Sequence, residues 1–466
     1  MVAADPALEV TQATADDRTL TCLGYLLDPR RPDAGNSDIL HALLREARSA
    51  DDLIARLDTL GGRWVLISNS PDECLLLTDA TGLRRVFFAA AAGSVWCASQ
   101  PEMLAGALGL TADPEAAAFI AALQARNAAQ TRRAHSLWWP GTGTPYVGVR
   151  HLTPNHVLDL GTGEARRFFP RRPREERPLE AVVAEAAPLL QGMIAAAVHR
   201  FESITLMMTG GLDSRLILAA ARPYVDSLRP VTIASRTGNK RDVPMTAELL
   251  DGLGLPHTIA EPPTAPDPAF RAAYDQRTLI SNDHFVANAE ALQSICTLQS
   301  VTMTGNNAEI FAAFYRLPTL AGRLRRPNAA LLTQLLPEMY MHPYATRLFG
   351  QWFDELGDTH GYSPLDLVYW ELRAGNWLAN WLAAYDLIWR DCVVPLNSRE
   401  LLVTLLAAPE EQRKKPKKQL NRALIAALWP EMPLRSAHHT EVRKSARERL
   451  ANMSATARRE IRFLRG

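Results

Sequence analysis

The stretch Ile204-Thr205-Leu206-Met207-Met208-Thr209-Gly210-Gly211-Leu212-Asp213-Ser214-Arg215-Leu216 carries the clearest chemistry in this chain. It reads as a buried strand, a tight glycine turn and the start of a helix. Two adjacent glycines let the backbone approach a ligand without a Cβ clash. The N–H groups of the turn and of the helix N-terminus then face an anion, and Thr209 and Ser214 add hydroxyl donors. Asp213 is out of place for an anion alone. It fits if a magnesium ion bridges its carboxylate to phosphates. The spacing is not that of the GxxxxGK[ST] loop. The pattern predicts nucleotide binding; a structural turn with an Asp cap is the alternative.

A second loop follows Val301-Thr302-Met303, where Thr304-Gly305-Asn306-Asn307-Ala308-Glu309 again leads a strand into a glycine turn. Around both loops, strands alternate with helices. Glu180 to Arg200 and Leu212 to Ala221 read as helices, Val231 to Ala234 as a strand, Val243 to Leu253 as a helix and Thr258 to Ala260 as a strand. That alternation predicts a parallel sheet with crossover helices. From about 318 to 429 the chain reads as mainly helical. Upstream of residue 170 the pattern differs. Thr19–Leu27, Trp64–Ser68, Cys74–Thr78, Arg85–Ala89, His156–Leu160 and Arg166–Phe169 are short apolar runs with turn residues between several of them, an antiparallel signature. Asp38 to Leu57 carries helical spacing. The Pro- and Arg-rich run 170–178 cannot build a core, so the boundary between two domains, 1–170 and 179–466, is placed there.

Composition sets bounds on function. Of 466 residues, 47% are hydrophobic and 22% charged, which excludes wholesale disorder. Lys+Arg is 51 against Asp+Glu 50, which argues against a nucleic-acid coat. No apolar run is read as reaching the roughly 18–20 residues that span a bilayer, and Met1–Pro6 has no signal-peptide pattern. The expected setting is cytoplasmic, with no membrane and no nucleic-acid partner. The five cysteines are scattered and form no CxxC pair, so no disulfide framework or zinc site is indicated.

Thr209-Gly210-Gly211-Leu212-Asp213-Ser214 resembles the SGGxDS pyrophosphate loop of the ATP-pyrophosphatase superfamily, in particular its asparagine-synthetase-like branch, which includes β-lactam synthetases and lasso-peptide cyclases. Gly62–Ile67 is similar to that family's GxFA strand, Asp79–Phe88 to its RDxxGxxPLYY hairpin, and Trp96–Glu102 to its FASExK turn. The resemblance implies an α/β protein: an amidotransferase-like antiparallel sandwich, then a parallel-sheet ATP-pyrophosphatase domain with a helical C-terminal region. Glutamine-using members place a cysteine directly after the initiator methionine as nucleophile. Val2 stands there, so the N-terminal domain is expected not to hydrolyse glutamine.

The resemblance also implies site residues, with ATP and Mg2+ as cofactors. Met207, Thr209, Gly210, Gly211, Asp213, Ser214 and Gly305 would hold the nucleotide, with Ala234 and Ser235 at the adenine. Glu309 falls on a metal-binding aspartate and joins Asp213 as a magnesium ligand. Asn306 replaces a glutamate or tyrosine near the reacting amine and cannot act as a base. Arg390–Glu400 is similar to the ExRxPFLD segment, which makes Asp391 a candidate for orienting the amine, with an ion pair as the alternative. Lys417–Leu424 is similar to KxxLRxA, which makes Lys417 the candidate for stabilising negative charge, with Lys418 beside it and a solvated basic run as the alternative. His257 is expected to be a packed histidine rather than a catalyst. The implied activity is an AMP-forming amide ligase acting on a small-molecule or peptide carboxylate and an amine, macrocyclisation being one version. A leader-peptide-binding or protease protein is a candidate partner. A non-catalytic ATP-binding scaffold and an ammonia-dependent amidating enzyme are the alternatives; sulfur transfer or tRNA modification lacks the paired cysteines and basic surface it would need. The basic residues after 440 are read as a helix, solvated or bound to an acidic partner or leader.

Overall fold

The computed structural model describes residues 1–128, 137–235, 240–281, 283–297, 299–316, 326–336, 339 and 342–434. The basic C-terminal segment therefore lies outside the described residues. The fold is mixed α/β, with antiparallel sheets in the first part of the chain and a parallel sheet in the second.

The first part holds a six-stranded sheet and a three-stranded sheet. The strands are β1 (Val10–Ala15), β2 (Arg18–Leu27), β3 (Gly61–Asn69), β4 (Cys74–Thr78), β5 (Phe87–Ala91), β6 (Ser94–Ala98), β7 (Arg150–His151), β8 (His156–Asp159) and β9 (Ala165–Arg167). The orders are β1-β2-β3-β4-β8-β9 and β6-β5-β7. Alternation along β3 explains how the large sheet is covered. Val65 packs with Leu76, Phe88 and Leu158 between the two sheets. Trp64 and Leu66 point the other way, into the core shared with Ile39, Leu40 and Leu43 of the helix Asn36–Glu46. β1 was not foreseen in the sequence, because its residues VTQATA include one large apolar side chain and it forms the sheet edge.

The second sheet is β10 (Ile204–Met207), β11 (Leu228–Ile233), β12 (Thr258–Ala260), β13 (Val301–Met303) and β14 (Asp391–Val393), all parallel, in the order β12-β11-β10-β13-β14. The chain starts at the centre, moves outward through β11 and β12, then returns to the other side of β10. One face is buried under the helices Leu179–Arg200, Leu212–Ala220 and Gln419–Leu428, and the other packs on the helix Asp283–Gln293 through Val286, Ala289 and Leu292. The helix Leu179–Arg200 amends the reading of apolar runs. By length and composition it could cross a bilayer, yet half of its apolar window is buried, and it packs on Leu212–Ala220, Arg399–Leu406 and Gln419–Leu428.

The two parts are joined by buried polar contacts. Tyr25 Oη donates to the Cys392 carbonyl at 2.7 Å. Asn397 Nδ2 donates to the Gly62 carbonyl at 2.7 Å and to Asp79 Oδ1 at 2.9 Å. The proline-rich run 170–178 is an ordered strap: Arg174 Nε donates to the Leu406 carbonyl at 2.8 Å and the Arg177 N–H to the Ala407 carbonyl at 2.9 Å.

Candidate active site

In an open parallel sheet, ligands bind beyond the carboxyl ends of the strands where the strand order reverses. Here that point lies between β10 and β13. The turn Thr209–Gly211 leaves β10 and the turn Thr304–Asn307 leaves β13, so the two glycine loops meet in one crevice. Gly305 sits so close to the first loop that a Cβ would come within 2.6 Å of the Asp213 carbonyl and 2.8 Å of the Ser214 nitrogen. Only glycine fits that approach.

The first loop is rigidified by its own hydroxyls. The Thr209 N–H donates to Ser214 Oγ at 3.1 Å, Ser214 Oγ donates to the Thr209 carbonyl at 3.0 Å, and the Gly211 N–H donates to Thr209 Oγ1 at 3.3 Å. The Gly210 N–H donates to Asp242 Oδ1 at 3.0 Å. Asp242 opens the helix Asp242–Gly252, so an acidic side chain already occupies one anion-seeking donor of the loop. Met207 ends β10, and Ala234 and Ser235 follow β11 at the neighbouring strand end; all three are half-buried.

Asp213 and Glu309 converge. Lys418 Nζ donates to both carboxylate oxygens of Asp213 at 2.7 Å and lies 4.0 Å from Glu309 Oε1. Asn421 Nδ2 donates to Asp213 Oδ1 at 3.0 Å, and Lys415 Nζ lies 3.6 Å from Glu309. Burial and the nearby Asp213 carboxylate push the Glu309 carboxyl up, while Lys418 and Lys415 pull against them. Burial lowers the Lys418 ammonium, but Asp213 and Glu309 outweigh it and hold its pKa above the usual lysine value. The two carboxylates share the Lys418 ammonium, and Lys415 adds a second one beside Glu309. Hard oxygen ligands around a positive charge fit magnesium, which completes its shell with water and phosphate oxygens. Among the described residues no group of three or more acidic, His or Cys side chains could hold a metal alone, so these carboxylates would supply only part of a shell.

Several residues lie elsewhere than expected. The lysine on Asp213 is Lys418, whose side chain is 7% exposed, not Lys417, which is exposed. Lys418 adopts φ +42° immediately before the helix Gln419–Leu428, so one residue of register separates surface from site. Asp391 is not at the crevice. It pairs with Val301 at the amino end of the strands, and its carboxylate is held by Arg63 Nη1 at 2.9 Å and Arg84 Nη2 at 2.7 Å. The ion-pair alternative therefore describes its place, with Arg63 and Arg84 as the partners. Asn306 lies on the second loop and donates through Nδ2 to Thr304 Oγ1 at 2.9 Å. His257 meets Thr232 Oγ1 at 2.9 Å, and burial lowers its pKa. Sequence reasoning gave no site role to Asp242, Asn421 and Lys415. Their signals were a helix-opening acid, a position three residues past Lys418, and a basic run read as surface.

All five thiols are uncrosslinked, and burial pushes the four covered ones up: Cys22 to about 12, Cys296 to about 11, and Cys74 and Cys392 also upward. A cysteine nucleophile needs the opposite shift.

No family model matches this chain, and no curated protein matches it. Among solved structures it is similar to the glutamine phosphoribosylpyrophosphate amidotransferase from B. subtilis complexed with ADP and GMP, at 10% identity and a TM-score of 0.23, covering 65% of this chain and 59% of that one. It is also similar to a structure described as the allosteric regulatory enzyme of purine biosynthesis, at 12% identity and a TM-score of 0.22, covering 70% of this chain and 59% of that one. The chain spans under two thirds of the length of either, and likeness at this level carries no argument about chemistry.

Proposed function

We propose that the protein is an ATP-dependent, AMP-forming amide ligase whose reacting centre is the crevice between β10 and β13. The observation that carries this reading is the convergence of the glycine loop, Asp213, Glu309 and the buried Lys418 at the switch point of a parallel sheet. The backbone donors of residues 209–211 and the helix N-terminus would hold phosphate oxygens, with Asp242 giving way at Gly210. Met207, Ala234 and Ser235 would face the base. Asp213 and Glu309 would hold a magnesium ion, which would supply charge neutralisation to the phosphates.

In the first step a substrate carboxylate oxygen bonds to the α-phosphorus of ATP, the bond to the bridging oxygen breaks, and pyrophosphate leaves with the electron pair. In the second an amine nitrogen bonds to the acyl carbon, AMP leaves, and the nitrogen gives up a proton. Lys418 is the one described lysine on the carboxylate pair at hydrogen-bond distance, and it is placed to meet negative charge once phosphates draw it from Asp213. Asn306 can orient a nucleophile but cannot take its proton. The raised pKa of Cys22, Cys74, Cys296 and Cys392 supports an amine source other than hydrolysis of glutamine by any of these cysteines. Residues 1–170 then act as a non-catalytic module.

A second reading, an ATP-binding scaffold without chemistry, is favoured by the internally satisfied loop donors and by Asn306. MgATP–pyrophosphate exchange with pooled carboxylates, with Asp213→Asn as control, separates the two. Substrate-dependent exchange that the variant loses supports the ligase. ATP binding without exchange by any carboxylate supports the scaffold, and no ATP binding sinks both.

A further inference from the structure

The second glycine loop is held from two sides. On one side Gly305 abuts the backbone of Asp213 and Ser214. On the other, Asn307 is tied to the N-terminal part of the chain. Its Nδ2 donates to Thr81 Oγ1 at 3.0 Å, and Thr81 Oγ1 donates on to Asn397 Oδ1 at 2.8 Å. Thr81 lies in the connection between β4 and β5, which Asp79 fixes. Asp79 Oδ1 accepts from the Thr81 N–H at 3.3 Å, from the Leu83 N–H at 2.9 Å and from Asn397 Nδ2 at 2.9 Å. Trp370 Nε1 donates to the Ala80 carbonyl at 2.7 Å. Asp79, Thr81, Asn307 and Asn397 are all buried. Asn307 adopts φ +73°, and its carbonyl accepts from the Ile310 N–H at 3.0 Å, closing a turn that contains Glu309. Among the described residues, Thr81 is the one hydrogen-bond partner of the Asn307 side chain, whose Oδ1 has none.

We infer that Thr81 is a positioning residue of the reacting centre: through Asn307 it holds the second loop, and with it Glu309, beside Asp213. The inference rests on the ligase reading in one respect, that Glu309 holds the metal. It gives the N-terminal part of the chain a role in a reaction for which it supplies no reacting group. A threonine hydroxyl suits the position because it accepts from one amide and donates to another at a single point. Valine has nearly the same shape and does neither. With valine there, Asn307 Nδ2 and Asn397 Oδ1 lose these partners in a buried place, a cost that favours loop positions in which water reaches Asn307. Glu309 then leaves its place beside Asp213, because only Ala308 separates it from Asn307. Groups that orient a metal ligand without touching the metal set its affinity by about 10–100-fold. Thr81 acts through Asn307 and not on Glu309 itself, so the lower end is expected.

The test uses the full chain carrying Thr81→Val, Thr81→Ser, Asn307→Gly, or Thr81→Val with Asn307→Gly. Calorimetric affinity for a non-hydrolysable ATP analogue is measured across magnesium concentrations. Hydrogen exchange of residues 304–311 is followed without nucleotide or metal. Thr81→Val should raise the magnesium concentration for half-maximal effect about tenfold and leave the magnesium-free affinity for the analogue unchanged. Thr81→Ser keeps the hydroxyl and should return the half-point to within about twofold of wild type. Asn307→Gly suits the positive φ and should match Thr81→Val. The double variant should be no worse than either single one, because the same contact is lost only once. Exchange in 304–311 should quicken in the valine and glycine variants and not in the serine one. A lower melting midpoint with the magnesium half-point and the exchange unmoved would make Thr81 merely structural and overturn the proposal. Equal effects of serine and valine, or additive effects in the double variant, would also overturn it. In each of these cases the ligase reading stands. If the wild type binds no analogue, the ligase reading falls, and the exchange comparison still decides whether Thr81 holds the loop.

Discussion

Replacing Asp391 by asparagine separates an architectural carboxylate from a catalytic one. Oδ1 accepts from Arg63 Nη1 and from the Cys392 N–H, both at 2.9 Å, and Oδ2 accepts from Arg84 Nη2 at 2.7 Å. The side chain is 10% exposed and Arg63 only 3%. Asparagine keeps the shape but removes the charge. Arg63 retains Asp386 at 2.6 and 2.8 Å. Arg84 has no other carboxylate partner among the described residues and keeps only a contact from Nε to the Arg63 carbonyl at 3.3 Å. Breaking a buried pair costs about 3–5 kcal/mol. Because Asp386 still neutralises Arg63, the lower end, about 3 kcal/mol, is expected. At roughly 2.1 cal/mol/K per residue, 466 residues give an unfolding entropy near 1 kcal/mol/K, so the melting midpoint should fall by about 3 °C. Calorimetric ATP-analogue affinity and pyrophosphate exchange per folded molecule should stay at wild-type levels. A variant with an unchanged midpoint that loses exchange would refute this reasoning and restore Asp391 to the reaction.

Gly305→Ala places its Cβ against the Asp213 and Ser214 backbone; an overpacking cost of about 2 kcal/mol should weaken the ATP analogue about 30-fold by calorimetry. Lys418→Met should cut pyrophosphate exchange by about a hundredfold or more, whereas Lys417→Met should change it less than about twofold; equal effects would show that the register seen at Asp213 is not the working one. His151 is buried, and desolvation together with Arg85 lowers its pKa to about 3. The folded chain then stays neutral there while the unfolded chain takes up a proton as pH falls through about 6.5. The associated stability is fully present above that pH and is lost toward pH 3, with about 2 kcal/mol gone by pH 5. Urea midpoints of wild type and His151→Gln should therefore converge on acidification by that amount, and parallel curves would contradict the assignment.

The crevice was legible in the sequence where its determinants are local. The runs around 204–216 and 301–309 carry strand, glycine turn and functional acid within about a dozen residues, and each glycine has a steric reason that sequence rules encode. Legibility failed where the signal is long-range. In Lys414-Lys415-Pro416-Lys417-Lys418 the backbone reversal at Lys418 decides which ammonium turns inward, and composition cannot show it. An ion pair was foreseen as the alternative for Asp391, but the arginines that claim it lie more than 300 positions away. The segment 369–381 falls within the stretch that reads as mainly helical in sequence. That Val368–Leu378 is a π-helix is not written in the residue types.

The clasp between Arg63 and Asp391 spans 328 positions. On a ribosome adding about 5–20 residues per second, Arg63 emerges roughly 15–65 s before its carboxylate exists. Through that interval β3 carries an unneutralised guanidinium on the surface that β14 will cover, and the Gly62 carbonyl waits for Asn397 in the same way. Non-local contacts of this kind are the slow ones to form. The first sheets can pair early, but the face that receives the parallel sheet stays open until almost the whole chain has been made. Synthesis order thus makes the N-terminal part the template on which the last strand of the reacting half is seated.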